Sequence, residues 1–130
     1  MPRFLTLSEF LLILQNQIKL YGGIFGIRYM SLLSSALAMT EAMFSGQYLH
    51  NDLFEQAAAY AFHICQNHPF IDGNKRVALA SALVFLDLNG IEIIDTDEIL
   101  YQLMMNVACG KADKKEIAKQ FKILYRYNKI

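Results

Sequence analysis

Short breaks set at intervals along the chain constrain its fold more than any other feature. Gly22-Gly23, Ser45-Gly46, the stretch Pro69 to Gly73, Asn89-Gly90 and Gly110 divide it into apolar runs of helical period. Thr6-Leu-Ser-Glu9 has capping-box form and precedes Leu11, Leu14, Ile18 and Tyr21 at helical spacing, so a first helix is predicted there, stopped by Gly22-Gly23. The stretch Gly22 to Met30, with Arg28 among glycines and large apolar residues, reads as an ordered loop. A second helix is predicted from Ser31 to Phe44, burying Leu33, Ala36, Leu37 and Met43, with Ser45-Gly46 as its end. Asp52-Leu-Phe-Glu55 starts a third along Phe54, Ala57, Ala58, Ala61, Phe62 and Cys65. It ends near Asn67, because Pro69 disfavours helical geometry at His68 and removes a donor. A fourth helix begins at Asn74 or Lys75 and closes at Asn89-Gly90. Its stretch Val77 to Leu86 is nearly all small or apolar, which places it centrally. Ile91-Glu-Ile-Ile reads as a short extended piece. A fifth helix from Asp97 to Cys109 and a sixth from Lys114 to Tyr127, capped by Asp113, complete the pattern.

The reading is all-α: one compact domain over residues 1–130, a bundle of about six helices. The chain's 130 residues suit a single core, and 55% hydrophobic residues against 18% charged exclude intrinsic disorder. Cys65 and Cys109 are too few for a disulfide scaffold and sit in apolar helical contexts, so a reducing compartment is expected, with no structural zinc. No apolar run approaches the ~20 residues of a membrane span. The start carries Glu9 and no small-residue cleavage site, so no signal peptide is read and a soluble, cytoplasmic protein is expected. Net charge is zero, yet residues 111–130 carry +5 and residues 1–110 carry −5. Lys111, Lys114, Lys115, Lys119, Lys122 and Lys129 do not line up on one narrow stripe, while Phe121, Leu124 and Tyr125 are expected to pack inward. That region reads as a solvated face, not as a nucleic-acid contact.

Chemistry concentrates between the third and fourth helices, in His68-Pro-Phe-Ile-Asp-Gly-Asn-Lys-Arg76. Gly73, Asn74, Lys75 and Arg76 stand at a helix start, where free N–H groups and the positive end of the macrodipole favour an anion. Lys75 and Arg76 add full charges, and Arg76 can grip a phosphate through two parallel bonds. Asp72 can hold magnesium, which prefers a carboxylate together with phosphate oxygens. Histidine is the side chain best suited to take a proton from a hydroxyl near neutrality, and His68 is the candidate. His50 and His63 read as caps or surface residues. From these residues alone, a phosphate-handling site and a decorated turn both stand open.

The same segment resembles the signature of the Fic/Doc family, in its death-on-curing branch. The resemblance extends to Tyr21-Gly-Gly, to Gly26-Ile-Arg28, to Leu32-Leu33 through Ser35-Ala-Leu37, to Asp52-Leu-Phe-Glu55 and to Val77 through Gly90. It implies a helical bundle with the active-site loop between the third and fourth helices. It also implies an enzyme that uses ATP and Mg2+ to modify a hydroxyl of a target protein. By resemblance His68 corresponds to the general base and Asp72 to the magnesium-binding residue. Gly73 and Asn74 match the anion-holding turn, Arg76 matches the arginine on the nucleotide phosphates, and Phe70 matches the buried loop anchor. The loop Gly22–Met30 corresponds to a flap that positions a target segment.

Lys75 stands where glycine accompanies AMP transfer in Fic enzymes, and lysine there accompanies transfer of the γ-phosphoryl group. The resemblance therefore implies a kinase reaction, with AMP transfer and a non-catalytic, partner-binding role as alternatives. Gly73 is retained as in AMP transferases. Gln66 and Ala80 stand where related sequences carry an arginine and a polar residue. The inhibitory pattern Ser/Thr-x-x-x-Glu is absent: the residues four before each glutamate are Leu5, Leu37, Asn51, Leu88, Ile94 and Ala112. Restraint is expected in trans, from an antitoxin, and the implied target is a translation factor.

Overall fold

The structure, a computed structural model, describes residues 2–95 and 98–129, with side chains as far as Arg126. Among the described residues there are six helices: α1 (Leu7–Tyr21), α2 (Met30–Glu41), α3 (Leu53–Asn67), α4 (Asn74–Leu88), α5 (Ile99–Ala108) and α6 (Lys114–Lys129). Three of them start where a local side chain supplies the cap. Thr6 and Glu9 close a reciprocal capping box on α1, and the Asp52 carboxylate accepts from the Glu55 amide at 2.8 Å on α3. On α6 the Asp113 carboxylate accepts from the Glu116 amide at 3.0 Å. Asp97, expected to begin the fifth helix, lies outside the described residues.

Helix α3 is the axis of the molecule. It packs most extensively on α4, and also on α2, α6 and α5. Ala57, Ala58, Ala59 and Ala61 are all fully buried, and such small side chains let helices approach on every side. Around them Phe10, Tyr60 and Phe85 meet ring to ring, with centroids 5.4 and 5.1 Å apart along the chain of contacts. The Tyr60 hydroxyl accepts from the Leu5 amide at 3.0 Å, which ties the N-terminal segment onto the core. From α6, Phe121 and Leu124 are buried as expected and Ile117 joins them, while Tyr125 is half-buried with its ring against Phe54.

Several local expectations need correction. Helix α2 stops at Glu41, and Met43–Phe44 (β1) pairs with Gln47–Tyr48 (β2) in a small antiparallel hairpin. Ser45 and Gly46 both have positive φ, 54° and 79°, as a tight hairpin turn requires, so they reverse the chain instead of ending a helix. Met43, expected in the core, is therefore exposed. Residues 91–95 form neither strand nor helix, although Ile91 and Ile93 pack against the core. Cys65 is buried, whereas Cys109 caps the end of α5 and is exposed.

The remaining corrections concern α6. His50 is buried and His63 half-buried, and Lys114 Nζ lies 3.0 Å from Nε2 of the first and 2.9 Å from Nε2 of the second. Neither histidine is a cap; together they hold the first residue of α6 against α3. The lysines of α6 are also less scattered than expected. Lys114, Lys115, Lys119 and Lys122 line one surface cavity with His50 and Glu55, because 115, 119 and 122 share one helical face. Among the described residues no helix is long and apolar enough to cross a membrane.

Candidate active site

The turn between α3 and α4 is locked from three directions. His68 ends α3 in the left-handed region (φ 48°, ψ 55°), its N–H still donating to the Ile64 carbonyl at 3.2 Å. An L-residue there costs roughly 1–2 kcal/mol, and the buried Pro69 that follows cannot continue the helix. The Asn67 side chain donates to the Leu32 carbonyl at 2.9 Å, which fixes the end of α3 to α2. The result presents the His68 imidazole to solvent on a rigid stem.

Phe70 drives its ring into the core, 1% exposed, as an anchor should. Its backbone would be stranded there without Asn74. The Asn74 Oδ1 accepts from the Phe70 N–H and the Asn74 Nδ2 donates to the Phe70 carbonyl, both at 3.0 Å. The Asn74 side chain is thus spent on the loop, and only its backbone N–H is left for an anion. Gly73 caps α4 with φ 82°, a geometry that glycine adopts without strain. A Cβ there would also press on Ile18 Cδ1 at 3.3 Å.

The loop between α1 and α2 lies along this turn. Ile27 and Phe70 form an isolated antiparallel bridge, the Arg28 amide donates to the Pro69 carbonyl at 2.7 Å, and the Ile71 amide donates to the Gly26 carbonyl at 3.1 Å. Asp72 joins the same contact: its Oδ2 accepts from the Ile24 amide at 2.8 Å. Its second oxygen is left for a cation. No cluster of three His, Cys, Asp or Glu able to hold a metal occurs among the described residues. A cation on Asp72 would therefore complete its shell with water and ligand oxygens, which is how magnesium usually binds.

The two adjacent cations part company. Arg76 reaches toward α1 and α5, its Cζ 3.7 Å from the centroid of the Tyr21 ring and 4.3 Å from that of Tyr101. It lines a cavity of about 310 Å³ with both tyrosines, Leu79 and Ala80. Lys75 does not line that cavity; its charge acts on Cys65, partly offsetting the burial that pushes this thiol upward. His68, Asp72 and Gly73 also lie outside the cavity wall, which begins at Arg76. Gln66 donates to the Val107 carbonyl at 3.0 Å and so serves to tie α3 to α5. The sequence shows Tyr21 only as part of the apolar periodicity of the first helix, and nothing in it singles out Tyr101. No local spacing links Tyr101 to the turn, since α5 brings it there.

The turn falls within the span that the chain shares with known proteins. The sequence profile of the Fic/DOC family matches residues 4–86, a span that includes the whole segment from His68 to Arg76. The chain is 31% identical over 123 residues to the protein kinase doc of Escherichia phage P1, covering 95% of this chain and 96% of that protein. It is 35% identical over 103 residues to the toxin Doc of Mycolicibacterium smegmatis, covering 77% of this chain and 78% of that one. With its helical architecture, its turn and its relatives in agreement, the chain belongs to the Fic/DOC family.

Proposed function

We propose that this protein is the toxin of a toxin–antitoxin pair and that it transfers the γ-phosphoryl group of ATP to a hydroxyl of a target protein. The observation that carries the reading is the turn itself. Exposed His68, the carboxylate of Asp72 and the open start of α4 stand within one nine-residue segment, from His68 to Arg76, that Phe70 and Asn74 lock in place. The kinase and toxin names of its relatives favour this chemistry.

In the proposed reaction the His68 imidazole removes the proton from the acceptor hydroxyl. The hydroxyl oxygen then forms its bond to the γ-phosphorus, the bond from that phosphorus to the β-γ bridging oxygen breaks, and ADP departs. The first amides of α4 have no intrahelical acceptor and face the growing negative charge with the helix dipole behind them. Arg76 adds a positive charge, and Asp72 would hold the magnesium that accompanies ATP. Bound there, magnesium would screen the phosphate oxygens from one another. The loop 22–29, paired to the turn through Ile27 and Phe70, offers a backbone edge beside His68 for the target segment.

AMP transfer is the competing chemistry at the same residues, and the retained Gly73 is what favours it. ATP labelled at the α- or the γ-phosphate, incubated with the protein in a cell extract, separates the two. Label passing to protein from the γ-position, and lost in His68→Ala, is the expected result. Label from the α-position would replace the kinase reading with AMP transfer.

A further inference from the structure

Among the described residues the Arg76 side chain makes no hydrogen bond and no ion pair, yet its guanidinium is held. Its contacts are the two tyrosine rings, with Cζ 3.7 Å from the Tyr21 centroid and 4.3 Å from that of Tyr101. A cation over an aromatic face is attracted by the ring quadrupole and leaves the in-plane N–H donors uncommitted. Two carboxylates, Asp95 and Glu98, line the same cavity, and neither pairs with Arg76. Asp95 is occupied: its oxygens accept from the Ile99 and Leu100 amides at 3.0 and 2.7 Å and so start α5. Those bonds hold the first turn of α5, which carries Tyr101. Tyr21 is the last residue of α1, with Gly22 at φ 86° directly after it. It is 58% exposed, so its ring does not act as core.

We propose that Tyr21 and Tyr101 are positioning residues for nucleotide binding: their rings hold the Arg76 guanidinium in place while its N–H donors stay available to a polyphosphate. The inference rests on the nucleotide reading above and adds two residues to it. A free arginine side chain loses several rotatable bonds of freedom when it closes on a phosphate, and holding it beforehand removes much of that loss. An ion pair to a carboxylate would hold it too, but would consume the donors that the phosphate needs. Aromatic faces avoid that competition.

The test is calorimetric titration of Mg-ATP and of ADP onto the full chain, for the wild type, Tyr21→Leu, Tyr101→Leu and Tyr101→Phe. Each leucine variant is then repeated in an Arg76→Ala background. The leucine variants are expected to weaken nucleotide binding about 3- to 10-fold, while Tyr101→Phe, which keeps the ring, stays within about 2-fold of wild type. With Arg76 absent, the leucine substitutions are expected to have no further effect. Equal weakening with and without Arg76 would overturn the proposal, because the rings would then act on the nucleotide directly or on the fold. A wild type that binds nucleotide alongside unaffected leucine variants overturns this proposal alone. A wild type that binds no nucleotide removes the functional reading and this one with it. Tyr21 lies mostly in solvent, so Tyr21→Leu keeps the test sound even where Tyr101→Leu disturbs α5.

Discussion

Asn74 shows how one side chain can decide a site without touching what the site binds. Its amide satisfies both the N–H and the carbonyl of Phe70, at 3.0 Å each, beside a ring that is buried. Replacing it by alanine leaves two backbone groups without partners at the edge of the core, and each such group costs roughly 1–3 kcal/mol. Asn74→Ala is therefore expected to lower stability by about 2–4 kcal/mol. Asn74→Asp keeps the acceptor for the Phe70 N–H but sets a carboxylate oxygen against the Phe70 carbonyl, so it fares no better. Urea denaturation of both variants gives the answer. An Asn74→Ala chain within about 0.5 kcal/mol of wild type would show that the turn holds without this clamp. The residue type at position 74 suits this demand, since the asparagine amide sets a donor and an acceptor on two separate atoms of one short stem.

Where α6 begins beside α3, Lys114 meets two histidines, and that makes this end of the contact sensitive to acid. Burial is the main force that pushes His63 down from the ordinary 6.5 to about 4, with the charge of Lys114 and then His50 adding to it. His50 is lowered in the same direction, again chiefly by burial. Between pH 6.5 and about 4 the unfolded chain binds a proton at His63 that the folded chain refuses, so the stability gained from the neutral ring is complete above 6.5 and drains away as pH falls. The thermal midpoint of wild type is expected to drop over that range, and that of His63→Phe to drop less; parallel profiles would exclude His63 as the source. None of this was legible in the sequence, where His50, His63 and Lys114 lie far apart, the histidines read as caps or surface residues and the lysine as part of a solvated face. What was legible is local. The caps of α1, α3 and α6 rest on side chains three residues from the amides they serve, and the nine-residue turn announces itself by composition. The hairpin at Ser45-Gly46 was missed because a Ser-Gly pair ends helices as readily as it turns strands. Tyr101 was missed because its partner, Arg76, is reached only through the packing of α5 on α4.

For the whole molecule, the site lies on the seam between its two most closely packed helices, since α3 ends at His68 and α4 begins just after Gly73. Stability and geometry should then separate when the core is perturbed at different places. Ala61 is fully buried in α3, fewer than two turns before His68. Ala61→Leu adds three carbons where the helices already touch, which costs about 1–3 kcal/mol and forces α3 to shift against a neighbour. Such a shift is carried along the helix to the turn. Phe121, equally buried in α6, offers a control: Phe121→Leu removes a comparable amount of stability by leaving a cavity, about 1–3 kcal/mol, on an element that supplies nothing to the turn. Measured well below both melting midpoints, with each variant fully folded, Ala61→Leu is expected to lose the proposed transfer activity by tenfold or more, because misplacement of about 1 Å is enough. Phe121→Leu is expected to keep it within about twofold. If the two variants lose activity in proportion to their stability instead, the turn is not a rigid extension of the α3–α4 packing. Its geometry would then belong to the loop's own bonds, those of Asn74 and of the bridge between Ile27 and Phe70.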